Sequence, residues 1–441
     1  MPPASATMLR ASERFLSRRQ PGRALALLAR AAVPIMAVDR IAARRPAPGL
    51  AEDDAGPLIA EVDAAPAAAT GPLAGEPVVV KDAIAVRGTR TGMGLRDGGD
   101  VAAVDATIVA RVRAAGGWIR GKTKMTELGM DGVGGLMHVA MPRNPRAPGY
   151  FPGGSSTGTA VAVATGLARY GLGSDGLGSV RIPAAYCGLV GLKPTHDRLP
   201  VDGYAGPVPS LEVPGPIART VDDCARLWQV IAGEPVVALR PEVPARVGVV
   251  RELGPDRASR AIRAAFARTL GALGVAVDAV TVPGADRCTF LGGMIGAHEL
   301  AASPYAAREL SPAGRMNVAL GRAFAARDRD RLDAQRRALK DAMARALART
   351  PIVAMPTTAV PPPALSRALL DGGQDLVLLR ALGAYTPLCN LTGHPAIAVP
   401  CGVDDRGRPL SIMFVADAGA EATLLRLALA VERLGLATLP V

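Results

Sequence analysis

Three separated stretches of this 441-residue chain hold side chains able to move a proton and attack a carbonyl carbon. They are Val80-Lys81-Asp82, then Gly153-Gly154-Ser155-Ser156-Thr157-Gly158, then Gly173-Ser174-Asp175-Gly176-Leu177-Gly178-Ser179-Val180-Arg181. Lys81 stands among Pro77-Val78-Val79-Val80 and Ala83-Ile84, apolar neighbours that predict burial. A buried lysine holds its proton weakly because the ammonium loses hydration. The neutral amine can then act as base to a serine hydroxyl. Taken alone, Lys81 reads better as a lysine snorkelling from a strand end or paired with Asp82. The glycines around Ser155 and before Ser179 permit unusual backbone geometry. They allow successive N–H groups to converge, as an oxyanion hole requires. A plain turn explains either stretch alone, but two such stretches, each presenting serines, are harder to assign to turns.

Two motifs compete. Gly116-Gly117-Trp118-Ile119-Arg120-Gly121-Lys122-Thr123 has the letters of a phosphate loop,. Such a loop must follow a strand and open a helix, whereas this segment follows a helical stretch and carries Trp-Ile where backbone should wrap phosphate. It reads as a turn-strand-turn connection that holds Lys122 structurally. Gly154-Ser155-Ser156-Thr157-Gly158 fits a G-x-S-x-G nucleophile elbow only with Ser156 as its serine,. The preceding Pro148-Gly149-Tyr150-Phe151-Pro152-Gly153 is poor strand text, and His394 would be its only late histidine partner. The four histidines, His138, His196, His298 and His394, have no ligand spacing, so no metal is expected,.

These residues need a frame. Short apolar runs alternate with helix-like stretches from Glu76 onward, the pattern of an α/β protein with a largely parallel sheet. Pro77–Val80, Trp118–Arg120, Arg246–Val250 and Val275–Val282 predict strands. Helices are expected over Asp105–Ala115 with Asp105 as cap, Thr157–Ala168, Ser259–Leu273 and Asp328–Leu347,. Tyr170-Gly171-Leu172-Gly173 leads into the second glycine-rich turn. Ala24–Val38 predicts an amphipathic first helix, and Arg44–Ala69 a loosely ordered connection with at most one helix,. The organisation expected is a helical arm over residues 1–50 and a single domain over 51–441.

Composition narrows the classes. Hydrophobic residues make up 49% and charged residues 20%, as in a globular protein with a sizeable core,. The net charge of +12 comes from scattered arginines, and aromatics are only 3%, so no nucleic-acid partner is expected,. No apolar run reaches the roughly 18 residues of a membrane span. The cysteines Cys187, Cys224, Cys288, Cys389 and Cys401 are odd in number and widely spaced, which predicts a reducing, cytoplasmic setting,.

Read together, the three stretches resemble the amidase signature family of serine hydrolases, over most of the chain from about Gly71. Supporting pieces are Gly121-Lys122-Thr123 with Glu127, Asn144-Pro145, Cys187 to Thr195, Gly215 to Val221, and Asn390-Leu391-Thr392-Gly393-His394-Pro395-Ala396. The resemblance implies a mixed central β-sheet sandwiched between helical layers. It implies Lys81 as general base, Ser155 after a cis peptide as proton relay, and Ser179 as the nucleophile that forms an acyl-enzyme. Backbone N–H groups of Gly176, Leu177, Gly178 and Ser179 would form the oxyanion hole, and Gly129 would line the substrate cleft. Ser156, Asp175 and Arg181 would orient the serines. The family usually has glycine at Leu177 and at Thr157, and a positive φ at Leu177 would strain it.

The reaction implied is hydrolysis of a small-molecule carboxylic amide, with no organic cofactor or metal, no membrane and a homodimer left open. A rival from the same superfamily is the amidase subunit of a tRNA-dependent amidotransferase, which would hand ammonia to a partner. A non-catalytic scaffold is the third reading, disfavoured because Lys81, Ser155 and Ser179 are all present. Substrate-pocket residues are expected from variable loops and from Pro361–Gly383.

Overall fold

The structure, a computed structural model, describes residues 35–46, 56–132, 137–324, 326–370 and 375–436. Its strands begin with β1 (Leu58–Glu61), β2 (Pro77–Lys81), β3 (Arg90–Thr91), β4 (Asp100–Val101), β5 (Trp118–Thr123), β6 (Tyr170–Asp175), β7 (Val190–Lys193) and β8 (Val213–Ala218). They continue with β9 (Arg246–Val250), β10 (Ala276–Val280), β11 (Ile352–Pro356), β12 (Ala396–Val403) and β13 (Pro409–Ala416). The first helices are α1 (Ile35–Ala43), α2 (Thr107–Ala114), α3 (Thr157–Ala164), α4 (Arg181–Tyr186), α5 (Val221–Ala232) and α6 (Arg260–Leu273). After them come α7 (Cys288–Ala302), α8 (Pro312–Arg322), α9 (Ala326–Arg349), α10 (Arg367–Leu370), α11 (Leu376–Leu382), α12 (Pro387–Thr392) and α13 (Glu421–Arg433).

Eleven strands form one sheet in the order β1-β5-β2-β6-β8-β7-β12-β13-β11-β9-β10, and β3 pairs with β4 apart from it. The expected largely parallel sheet is corrected to a mixed one. β2 runs parallel to β5 and β6, and β9 to β10 and β11. The centre, from β6 through β8, β7, β12 and β13 to β11, is antiparallel throughout. Continuous apolar runs report burial on both faces, not strand direction. All eight residues of β13 and all six of β6 are buried, so helices cover the sheet on both sides. Among these, α3 packs on β2, β5 and β6, while α4 packs on β7, β12 and β13.

Three local expectations change. The apolar stretch from Ala24 lies mostly outside the described residues, and its end forms α1. The Pro/Ala-rich connection contributes an edge strand, β1, antiparallel to β5. Asp105 does not cap α2: the cap position is Ala106, while the Asp105 carboxylate accepts from Arg87 N at 2.8 Å and Arg113 Nε at 3.0 Å. A backbone N–H and a guanidinium take up the carboxylate in place of the helix end. All five cysteines are buried and unpaired, and no helix among the described residues is long and apolar enough to cross a membrane.

Candidate active site

The site begins where two neighbouring parallel strands end. Pairing of Val80 with Leu172 sets β2 beside β6, so Lys81 at the end of β2 and Ser174-Asp175 at the end of β6 emerge together. Ligand sites of α/β sheets gather at such carboxyl ends. Lys81 is 1% exposed, and its Nζ donates to Ser155 Oγ at 2.6 Å and to Ser174 Oγ at 3.0 Å. The rival partner, Asp82, is taken by Lys122, whose Nζ lies 3.2 Å from it. That ion pair also accounts for the lysine of the phosphate-loop letters, most of which form β5 and open no helix.

Ser155 follows a cis peptide bond from Gly154 and directly precedes the Ser156 cap of α3. No strand leads into it, as a nucleophile elbow would require, and His394 faces Asp417 at 3.7 Å. Ser156 ties the two serine-bearing turns together. Its N–H donates to Ser179 O at 3.2 Å, its hydroxyl to Ser174 O at 3.3 Å, and it accepts from Ser174 N at 3.3 Å. Ser179 is half-buried and lines a cavity of about 300 Å³ together with Gly129, Gly176 and Leu177. Gly129 has φ +70°, and a Cβ there would come 3.2 Å from Ser155 Oγ, so bare backbone covers this serine.

The turn carrying Ser179 is shaped by a fully buried ion pair. Arg181 grips Asp175 through two hydrogen bonds, Nε to Oδ2 at 2.9 Å and Nη2 to Oδ1 at 2.8 Å, a geometry that fixes orientation as well as charge. Arg181 also donates to Thr386 O at 2.9 Å and Asn390 Oδ1 at 2.7 Å, and Asn390 Nδ2 donates to Asp175 Oδ1 at 2.9 Å. Burial alone would raise the Asp175 carboxyl, but the Arg181 guanidinium and these bonds hold it well below the usual carboxylate range. Replacing one member strands the other charge in the interior. Asp175→Asn is therefore expected to cost about 3–5 kcal/mol, read as a lowered denaturant midpoint with an unchanged slope.

Asp175 corrects one assignment. Its Oδ1 accepts from Gly178 N at 2.8 Å, a side-chain turn of the kind aspartate favours. That N–H points into the turn, which leaves Gly176, Leu177 and Ser179 as the candidate oxyanion donors. Leu177 is not among the residues with positive φ; that conformation falls on Gly178, at φ +126°. A Cβ on Gly178 would stand 2.4 Å from Thr386 Oγ1, and this hydroxyl donates to Leu177 O at 2.7 Å. Glycine is required at 178, and leucine fits at 177 without strain. Thr157, the other departure, is buried in the first turn of α3 with its hydroxyl unpartnered.

Sequence reasoning left three polar groups unassigned. Ser174 is the second anchor of Lys81. Glu212 is buried beside the cavity, where its Oε2 accepts from Val208 N at 3.3 Å. Tyr204 packs against it, since a Cβ on Gly206 would strike both Glu212 Oε2 and Tyr204 OH. A lone acid in the apolar run Leu211-Glu212-Val213 was the available signal. Burial lowers Lys81 to about 8, against the pull of Glu212 and Asp175, and burial raises Glu212 to about 7, against the pull of Lys81. No cluster of three or more His, Cys, Asp or Glu among the described residues could hold a metal ion.

A family model described as Amidase matches residues 50–425. The chain belongs to the amidase family. As a member it is a hydrolase of carbon–nitrogen bonds other than peptide bonds. Among its relatives is a glutamyl-tRNA(Gln) amidotransferase subunit of Deinococcus radiodurans, 34% identical over 422 residues, 83% of this chain and 85% of that one. Another is a fatty acid amide hydrolase of Medicago truncatula, 31% identical over 366 residues, 75% of this chain and 59% of the relative. The crystal structure of the corresponding glutamyl-tRNA(Gln) amidotransferase subunit from Thermotoga maritima superimposes with a TM-score of 0.75 at 26% identity, covering 87% of this chain and 90% of that one. The mixed sheet flanked by helices is thus the amidase signature fold.

Proposed function

We propose that this amidase hydrolyses a small-molecule carboxylic amide through a Ser179 acyl-enzyme. The observation that carries the reading is the 2.6 Å bond between the buried Lys81 amine and Ser155. When Lys81 is neutral, its lone pair accepts from Ser155 O–H, while one of its N–H groups stays on Ser174. Ser155 then takes the Ser179 proton as Ser179 Oγ bonds to the carbonyl carbon, and the proton Ser155 gives up rests on Lys81. The tetrahedral oxyanion is met by backbone N–H groups of Gly176, Leu177 and Ser179. When the C–N bond breaks, the relay returns the proton to the leaving nitrogen. Water repeats the sequence in deacylation and releases the acid. The five unpaired cysteines support a cytoplasmic setting.

Lys81 works only as the free amine, so kcat/KM should rise with pH through about 8 and then level,. Glu212 stabilises the ammonium, so Glu212→Gln should move that rise to lower pH. A flat profile from pH 6 to 9 in the wild type would remove Lys81 as the base. The second reading, a glutaminase subunit serving a tRNA-dependent amidotransferase, is favoured by the 34% identity to the Deinococcus protein. Glutamine turnover that depends on a co-purifying partner would select it.

A further inference from the structure

The cavity that opens at Ser179 is walled mainly by side chains unable to hydrogen-bond. Met130, Ile182, Phe290, Met294, Leu320 and Leu379 line it, contributed largely by α7, α8 and α11. Only the last of these helices lies in the stretch where pocket residues were expected. At about 300 Å³ the cavity stands at the low end of the ~300–1,000 Å³ range of small-molecule sites,. Leu177, on the oxyanion turn itself, reaches across to α7: a Cβ placed on Gly292 would come 2.5 Å from Leu177 Cδ2. The leucine tip therefore rests against backbone that only glycine leaves bare.

We infer that this cavity binds the acyl half of amides of compact, apolar carboxylic acids, and that Leu177 seated against Gly292 sets the acyl size limit. The inference rests on the amidase reading. The acyl side is assigned because that half stays bonded to Ser179 through both chemical steps, whereas the amine must leave before water can enter. Within the cavity each added methylene is buried, worth about 0.8 kcal/mol or roughly a fourfold gain in kcat/KM. The gain stops when the acyl group meets Leu177.

The test is kcat/KM for acetamide, butyramide, hexanamide, dodecanamide and benzamide, with glutamine and succinamate as polar rivals. The rise should be about threefold to fourfold per methylene up to a maximum at intermediate length, with benzamide among the best and dodecanamide poor. Leu177→Ala should move the maximum to longer chains. Gly292→Ala should move it to shorter ones by pushing Leu177 into the cavity, and the double variant should recover at least part of that loss. A flat series, or an unmoved maximum in Leu177→Ala, overturns the inference. So does a preference for succinamate, which would assign the cavity to a carboxylate near Arg380, another of its lining residues. Calorimetry of hexanamide binding to the Ser179→Ala protein separates the two levels. Binding without wild-type turnover sinks the hydrolytic reading and keeps the pocket, whereas turnover without chain-length preference sinks the pocket alone.

Discussion

Ser179→Ala is expected to lower kcat/KM for amide hydrolysis by at least ~10⁴-fold while leaving the unfolding midpoint within about 2 °C of wild type. In the proposed mechanism the hydroxyl supplies the covalent route, so its removal would leave only binding and oxyanion stabilisation. The fold has little stake in it. Ser179 is half-buried, and the hydrogen bond it makes to Ser156 uses its backbone carbonyl, which alanine keeps. Steady-state rates and a thermal melt on the same preparation check both halves.

Lys81→Met is the second large effect, a loss of about 10³–10⁴-fold, in the range of a positioned general base and its relay. Methionine matches the volume of the buried stem and removes the charge whose dehydration lowers the Lys81 pKa. Removing the ammonium takes away the opposite charge of Glu212, but that carboxyl, already raised by burial to about 7, can take up a proton and stay neutral,. The protein should therefore stay folded, which separates proton transfer from scaffolding. Lys81→Arg should be as inactive, because a guanidinium keeps its proton and cannot serve as the base. A Lys81→Met protein with more than a tenth of wild-type activity would contradict the role.

Lys81 illustrates how much of the site is legible in sequence. Its burial is the reading that Pro77-Val78-Val79-Val80 favours, the pattern of a strand covered on both faces. Its partners do not follow, because Ser155 and Ser174 lie 74 and 93 positions away and meet it only when α3 packs on β2 and β6 pairs with β2. The family resemblance supplied Ser155; nothing local singled out Ser174. Leu177 is the converse case. Its permissibility depends on which residue of the turn takes positive φ, and that is decided by Asp175 folding back on Gly178 and by Thr386 arriving from a distant part of the chain. The direction of the central strands was hidden for a related reason: burial on both faces erases the alternation that marks antiparallel pairs. The cavity walls from α7 and α8 carry no chemical motif, only apolar side chains and a bare glycine, so sequence had no means of assigning them to a substrate.

The central claim is that Ser179 becomes covalently bonded during the reaction. Treating the native protein with an alkyl fluorophosphonate, then weighing it intact and mapping its peptides, tests this directly. One phosphonyl group per chain, located on Ser179, absent from the Ser179→Ala protein and formed in step with loss of amidase activity, is the result predicted. An adduct on a different residue, or a fully active protein that takes up no label, would contradict it.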